Sequence, residues 1–227
     1  MNILDHLLFR DSWILIINKP AGLPVHGGPG GGDNLERYFE ELRFGLKQPP
    51  FLAHRLDRDT SGCLALGRHK QALRRLGELF SKGRVQKTYW AIVTGSPPEL
   101  EGQISAPLKK ISRRDKGWRM IVAPDGQNAV TDYRLMGTSQ NKKLSWLELK
   151  PQTGRTHQLR VHLAHLGCSI LGDRHYGDRE SNAKLHLHAR SLAMPLYEGK
   201  PTIEAKAPLP EHLKGMFENC GYKGETC

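Results

Sequence analysis

The chain has 227 residues, 38% of them hydrophobic, a length between one and two ordinary domains and a composition that excludes wholesale disorder and collagen-like repetition. No apolar run approaches the roughly 18 residues of a membrane span, and the N-terminus lacks the basic-then-apolar order of a signal peptide, so a soluble, cytoplasmic protein is expected. Thirty-four Lys and Arg against 23 Asp and Glu leave a net charge of +11, which favours a polyanionic partner, nucleic acid foremost.

The first predicted strand is the apolar run 13–17, stopped by the prolines and glycine of 18–24. The glycine cluster 27–32 lacks the Lys-Ser/Thr of a phosphate-binding loop and reads as a hinge or lid. Asp33 followed by Glu36 suggests a capping box for a helix carrying Leu35, Tyr38, Phe39 and Leu42, closed by Pro49-Pro50. A short strand is predicted at 62–67. A helix over 70–81 then places Ala72, Leu73, Leu76, Leu79 and Phe80 in an arc of roughly 120°, with Gly83 as its stop. Residues 88–94 have strand composition. The stretch 95–126 predicts hairpins and loops, and further strands are expected at 128–136 and 144–150. A turn at 153–156, with Thr156 as N-cap, leads into a helix to about His165 carrying Leu159, Leu163 and Leu166 on one stripe. Strands at 185–194 and 201–205 complete a single α+β domain, 1–227, with a mixed, largely antiparallel sheet flanked by helices and loops.

Four cysteines without a C-x-x-C favour small buried thiols at Cys63 and Cys168 over disulfides or zinc. Of the eleven histidines, His157 and His162 stand about 140° apart on a helix, too far round to share a metal, and His186 with His188 is the best remaining pair. No metal site is expected. Basic clusters at 68–87 and 109–119 read as charged faces of folded elements.

Two segments are denser in chemistry. In His54-Arg-Leu-Asp-Arg-Asp-Thr-Ser-Gly62, Asp59 suits an Asx-type turn cap. Asp57, flanked by Arg55 and Arg58, suits an ionised carboxylate serving as nucleophile, base or metal ligand, and spacing alone leaves these open. In residues 149–162, Arg155 and Arg160 fall near a helix start, where peptide dipoles also favour anions; a solvated basic face is the plainer alternative.

These strings, with Asn18-Lys-Pro-Ala-Gly22, Lys87-Thr-Tyr-Trp-Ala91, Pro151-Gln-Thr-Gly-Arg-Thr-His-Gln-Leu-Arg-Val-His162, Ile170-Leu-Gly-Asp173 and Tyr176-Gly177, closely resemble the RluA-type family of RNA pseudouridine synthases. The resemblance implies the pseudouridine synthase fold and a redox-neutral isomerisation of uridine in ribosomal or transfer RNA, with no cofactor, by a monomer. It implies that Asp57 is the essential aspartate, that Arg160 pairs with it, and that Tyr89 stacks on the target base and assists removal of the C5 proton. Arg55 would enter the RNA stack, and Arg155, His157 and Leu159 would contact substrate. Many relatives carry a separate RNA-binding domain first; here Lys19-Pro20 comes within twenty residues of the start, so recognition is expected to fall to the catalytic domain and its basic loops. Two readings compete: a catalytically silent RNA-binding module, against which the joint presence of Asp57, Tyr89 and Arg160 argues, and a metal-dependent hydrolase built on the histidines.

Overall fold

The computed structural model describes residues 1–28, 31–113 (Arg113 by its backbone alone) and 117–224. Pro29 and Gly30 of the glycine-rich loop, Arg114 and Lys116 of the second basic cluster and the final residues 225–227 lie outside them. In chain order the structure runs β1 (Leu7–Arg10), β2 (Ile14–Lys19), a 3-10 helix (Leu35–Leu42), β3 (Phe51–Leu52), β4 (Ser61–Gly67), α1 (Lys70–Ser81) and β5 (Gln86–Thr94). It continues with β6 (Glu101–Ser105), β7 (Leu108–Arg113), β8 (Gly117–Val122), β9 (Val130–Thr138), β10 (Leu144–Pro151), α2 (Gln158–His165), β11 (Leu187–Met194), β12 (Ile203–Lys206) and α3 (Glu211–Asn219). The chain divides into two compact units, Met1–Lys87 with His188–Pro210, and Thr88–Leu187 with Glu211–Cys227.

In the first unit β2 pairs antiparallel with β1 and β4, β3 pairs antiparallel with β4, and β11 pairs parallel with β4 and antiparallel with β12. Because β4 is covered on both faces, all seven of its residues are buried and its sequence runs apolar without alternation. Leu76 and Leu79, on the predicted face of α1, pack with Ile14, Ile16, Ala65 and Leu192. Each such leucine contributes about 1.5–3 kcal/mol by leaving water. The helix begins at its predicted residue because the His69 ring accepts the Ala72 N–H at 3.2 Å. Gly62 is required where it stands: its φ is +110°, and a Cβ there would lie 2.2 Å from the Ala189 carbonyl oxygen on β11.

In the second unit β10 pairs antiparallel with β5 and β9, β6 pairs antiparallel with β9, and β7 with β8 forms a separate hairpin. Leu159 and Leu163 of α2 are buried with Ala91, Val93, Leu147 and Leu149. From α3 and the segment after it, Phe217 and Tyr222 stack against Trp90 and Trp146.

The α+β class and the mostly antiparallel, mixed strand pairing agree with expectation, and Cys63 and Cys168 are buried free thiols. Three local readings are corrected. Residues 35–42 form a 3-10 helix, and Asp33 accepts the Tyr38 hydroxyl at 2.9 Å instead of capping the backbone. Thr156 is not the N-cap of α2; that position is His157, in the left-handed region at φ 53°, while the buried Gln158 side chain accepts the Arg155 N–H at 3.0 Å. Strand β1 and helix α3 were unexpected.

Candidate functional site

In the first unit the chemistry-rich loop between β3 and β4 is pinned at both ends by buried side chains, Leu56 and Thr60, with Asp57 half-buried between them. The Thr60 N–H donates to the Asp57 carbonyl at 3.2 Å, closing a β-turn that presents the Asp57 side chain. Below it lies Lys19, with no exposed surface. Its ammonium donates to the carbonyls of Pro20 at 2.7 Å, Leu23 at 2.8 Å and Arg58 at 2.9 Å, so all three donors are used and the loop is tied to the end of β2. The Gly22 N–H reaches the same Arg58 carbonyl at 2.9 Å. Burial lowers the Lys19 pKa to about 8, against the upward pull of Asp59 and Asp57. The Asx cap expected of Asp59 is replaced by an ion pair with the Arg58 guanidinium at 3.0 Å. His54 accepts the Ala65 N–H on Nε2 at 2.9 Å; burial, then the Lys87 charge, drives its pKa down to about 3, so the neutral ring is an architectural part. Ser61 at the start of β4 donates to His188 Nδ1 at 2.8 Å, and His188 Nε2 donates to the Ala207 carbonyl at 3.2 Å. With both nitrogens engaged, His188 is no metal ligand. Arg55 is exposed.

In the second unit Arg160, on α2, donates from Nε and Nη2 to Asp173 Oδ2 and Oδ1, both at 2.8 Å. Asp173 is 1% exposed and its Oδ1 also accepts the N–H groups of His175 at 3.0 Å and Tyr176 at 3.1 Å. Burial alone would raise its pKa, but the Arg160 bond and charge and the two amides hold it below the usual carboxylate value. Gly172 allows this placement: its φ is +80° and a Cβ would lie 2.1 Å from the Lys184 carbonyl oxygen. Tyr176 lies with the Arg160 guanidinium 5.2 Å and the Arg119 guanidinium 5.4 Å from its ring centroid. Its hydroxyl accepts the Met120 N–H at 3.1 Å and is hydrogen-bonded to His157 Nδ1 at 2.8 Å. Gln158 clamps the preceding turn to β9: its oxygen accepts the Thr153 hydroxyl at 2.7 Å and its nitrogen donates to the Val130 carbonyl at 3.0 Å.

The sequence-derived site residues therefore separate by role. Arg160 and His157 share one cluster with Asp173, His175 and Tyr176. Tyr89 is half-buried on β5, opposite Leu149. Arg155 is exposed and donates from Nε to the Asn128 carbonyl at 3.0 Å. Leu159 is 6% exposed and belongs to the core. Lys19, Asp173 and Gln158 escaped notice as individuals. Asp173 carried one usable signal, a lone carboxylate closing the run Ile170-Leu-Gly, which demands a cation when buried. The basic clusters are also less uniform than their composition. Arg68 spends its guanidinium on the carbonyls of Asp11, Arg43 and Phe44, whereas Lys70, Arg74, Lys82 and Arg84 are exposed. Among the described residues no three His, Cys, Asp or Glu side chains converge as metal ligands, and no helix is long and apolar enough to cross a membrane.

Residues 13–165 match the family model described as RNA pseudouridylate synthase. An uncharacterised RNA pseudouridine synthase of Zymomonas mobilis subsp. mobilis is 49% identical over 208 residues, covering 90% of this chain and 94% of the relative. The ribosomal large subunit pseudouridine synthase C of Buchnera aphidicola subsp. Schizaphis graminum is 35% identical over 225 residues, 95% of this chain and 71% of the relative. Among solved structures, human RNA pseudouridylate synthase domain containing 4 superposes with a TM-score of 0.80 at 30% identity, covering 96% of this chain and 93% of that one.

Proposed function

The chain belongs to the RNA pseudouridine synthase family and is an RNA isomerase, and from that premise we propose that it converts specific uridines of ribosomal RNA, with transfer RNA as the alternative target, using Asp57 as nucleophile. The Asp57 carboxylate acts on the uridine or its ribose, the bond from N1 to C1′ breaks, and the base turns and rejoins through C5. The C5 proton leaves and N1 gains one, so no electrons are exchanged. Tyr89 offers its ring to the target base and assists departure of the C5 proton, Arg160 supplies the guanidinium of the reaction, and Arg55 helps to extrude the uridine, at an unstacking cost of a few kcal/mol. The protein works in this reading as a cytoplasmic monomer.

The observation that supports Asp57 most is the loop's construction: a fully buried ammonium, two buried anchors and a closed turn hold one half-buried carboxylate, an investment that a solvated surface turn does not need. The Buchnera relative's name, which specifies the large ribosomal subunit, supports the choice of RNA. The test is tritium release from large-subunit ribosomal RNA, small-subunit ribosomal RNA and transfer RNA carrying uridine labelled at C5. Release from ribosomal RNA is expected; release from transfer RNA alone would reassign the substrate, and release from none would remove the reading.

A further inference from the structure

Of the four tryptophans only Trp118 is exposed, at 40%. Its place in the β7–β8 hairpin explains why. Met120 and Trp118 lie on the same face of β8, and Met120 is buried with Leu108, Ala129 and Val161. Trp118 continues that face past the end of the core and is 40% exposed, with no apolar layer over the indole among the described residues. Its neighbours are instead rings and cations: the His157 imidazole at 5.1 Å and 33°, the His175 ring at 6.4 Å, and the Lys110 ammonium 4.7 Å from the indole centroid. Tyr176, with Arg119 and Arg160 beside its ring, extends the row through His157. The Asp173 carboxylate, next to this row, is already paired with Arg160. His157 holds its place at φ 53°, a conformation that a residue with a side chain adopts at a cost and that collects at ligand-binding positions.

An exposed indole flanked by an imidazole and an ammonium combines the two features that bind unpaired nucleotides, a π-face for the base and a cation for its phosphate. We propose that Trp118, with Lys110 and His157, is a stacking platform for an unpaired base of the RNA other than the uridine being isomerised. The base displaces the Lys110 head from the indole, and the flexible lysine stem carries the ammonium to the adjoining phosphate. A purine is preferred, since its two rings overlap the indole more fully than a pyrimidine. That the ligand is the RNA substrate rests on the isomerase reading; the platform itself rests on the geometry of the second unit.

The experiment titrates wild type, Trp118→Ala, Trp118→Phe and Lys110→Ala with oligoadenylate and oligouridylate of about eight nucleotides, with tritium release from ribosomal RNA measured on the same preparations and Leu100→Ala as an exposed control. Trp118→Ala should weaken oligoadenylate binding roughly 5- to 150-fold, the range found for one base–aromatic stack. Trp118→Phe should restore part of it, and wild type should favour oligoadenylate over oligouridylate. The KM for ribosomal RNA should rise with the oligonucleotide Kd. Tryptophan fluorescence should be quenched by oligoadenylate in wild type and in Leu100→Ala, but much less in Trp118→Phe. Binding and KM unchanged in Trp118→Ala would overturn the platform while continued tritium release left the isomerase reading standing. No release by wild type on any RNA would overturn that reading, and the oligonucleotide titration would still decide the platform. If Trp118→Ala fails to fold, the fluorescence difference between wild type and Trp118→Phe decides alone: equal quenching refutes the platform.

Discussion

Replacing Asp173 by asparagine preserves shape and removes one charge from the arrangement that orients Arg160. Asp173 receives four N–H groups in the folded protein, two from the guanidinium at 2.8 Å and two from the backbone at 3.0 and 3.1 Å. An asparagine retains one oxygen, and its NH2 group meets a guanidinium donor with another donor. Breaking one side of a buried ion pair costs about 3–5 kcal/mol. Arg160 is 12% exposed and can recover some hydration, which places the expected loss near the lower bound. At about 2–4 °C per kcal/mol for a chain of this size, a loss of about 3 kcal/mol lowers Tm by roughly 6–12 °C. The pH dependence gives a second, independent signature. Because the folded-state pKa of Asp173 lies below the unfolded value of 3.8, its contribution is fully present above that value and is lost as the pH falls through the folded pKa. The difference in Tm between wild type and Asp173→Asn should therefore hold near neutrality and close in acid. A misplaced guanidinium should also lower tritium release by about a hundredfold. Thermal denaturation from pH 7 into the acid range, beside the release assay at pH 7, measures all three. Melting temperatures within about 2 °C of each other at pH 7, with parallel acid slopes, would refute the claim that this pair organises the cluster.

Lys19→Met keeps the apolar stem but takes the ammonium from three part-buried carbonyls, of which that of Arg58 keeps the Gly22 N–H; at about 1–3 kcal/mol for each group left unpaired, partly offset by removal of a buried charge, a net loss of about 2 kcal/mol and a larger fall in turnover are expected from denaturant midpoints and tritium release. In wild type, Lys19 has a folded pKa of about 8 against 10.5. The unfolded chain therefore holds more protons between those values, and this group's contribution to stability rises across the window while turnover falls as the loop loses an N–H; Lys19→Met should show neither trend, and an alkaline activity limb unchanged in that variant would contradict the role. Gly62→Ala should cost at least about 3 kcal/mol by urea denaturation, from strain at positive φ and displacement of β11, whereas Gly22→Ala, with open space around it, should cost about 1–2 kcal/mol for the backbone alone. Similar losses at the two glycines would mean that the close approach to Ala189 is not what fixes Gly62.

Period and composition carried most of the secondary structure, because α1, β4, β5, β9 and β10 satisfy their local preferences and their burial together. The failures have local causes. Residues 35–42 show helical spacing, but the tighter 3-10 turn buries Leu35, Phe39 and Leu42 without a cap at Asn34. The left-handed His157 follows a threonine that looks like an N-cap, and a non-glycine residue at positive φ leaves no trace in composition. In α3, only Leu213 and Phe217 are buried, and Gly215 and Met216 blur the stripe that would have shown its face. Asp57 and Arg160 stood out because charge marks them within two dense segments, whereas Tyr89, inside a strand-like run, was singled out by the family resemblance alone. Lys19 and Gln158 did not stand out, because burial turns a lysine and a glutamine into scaffolding that no local pattern announces.

In the proposed reaction Asp57 performs chemistry while its near neighbour Asp59 does not. Asp57→Asn and Asp59→Asn, each assayed for RNA binding on filters and for tritium release from C5-labelled RNA, test it directly. Asp59 pairs at the surface with Arg58, an interaction worth at most about 1 kcal/mol, so Asp59→Asn should retain turnover within about tenfold. Asp57→Asn should bind RNA about as well as wild type and release no tritium above background, because loss of an essential nucleophile costs orders of magnitude in rate. Substantial release from Asp57→Asn, or equal loss in both variants, would contradict the assignment.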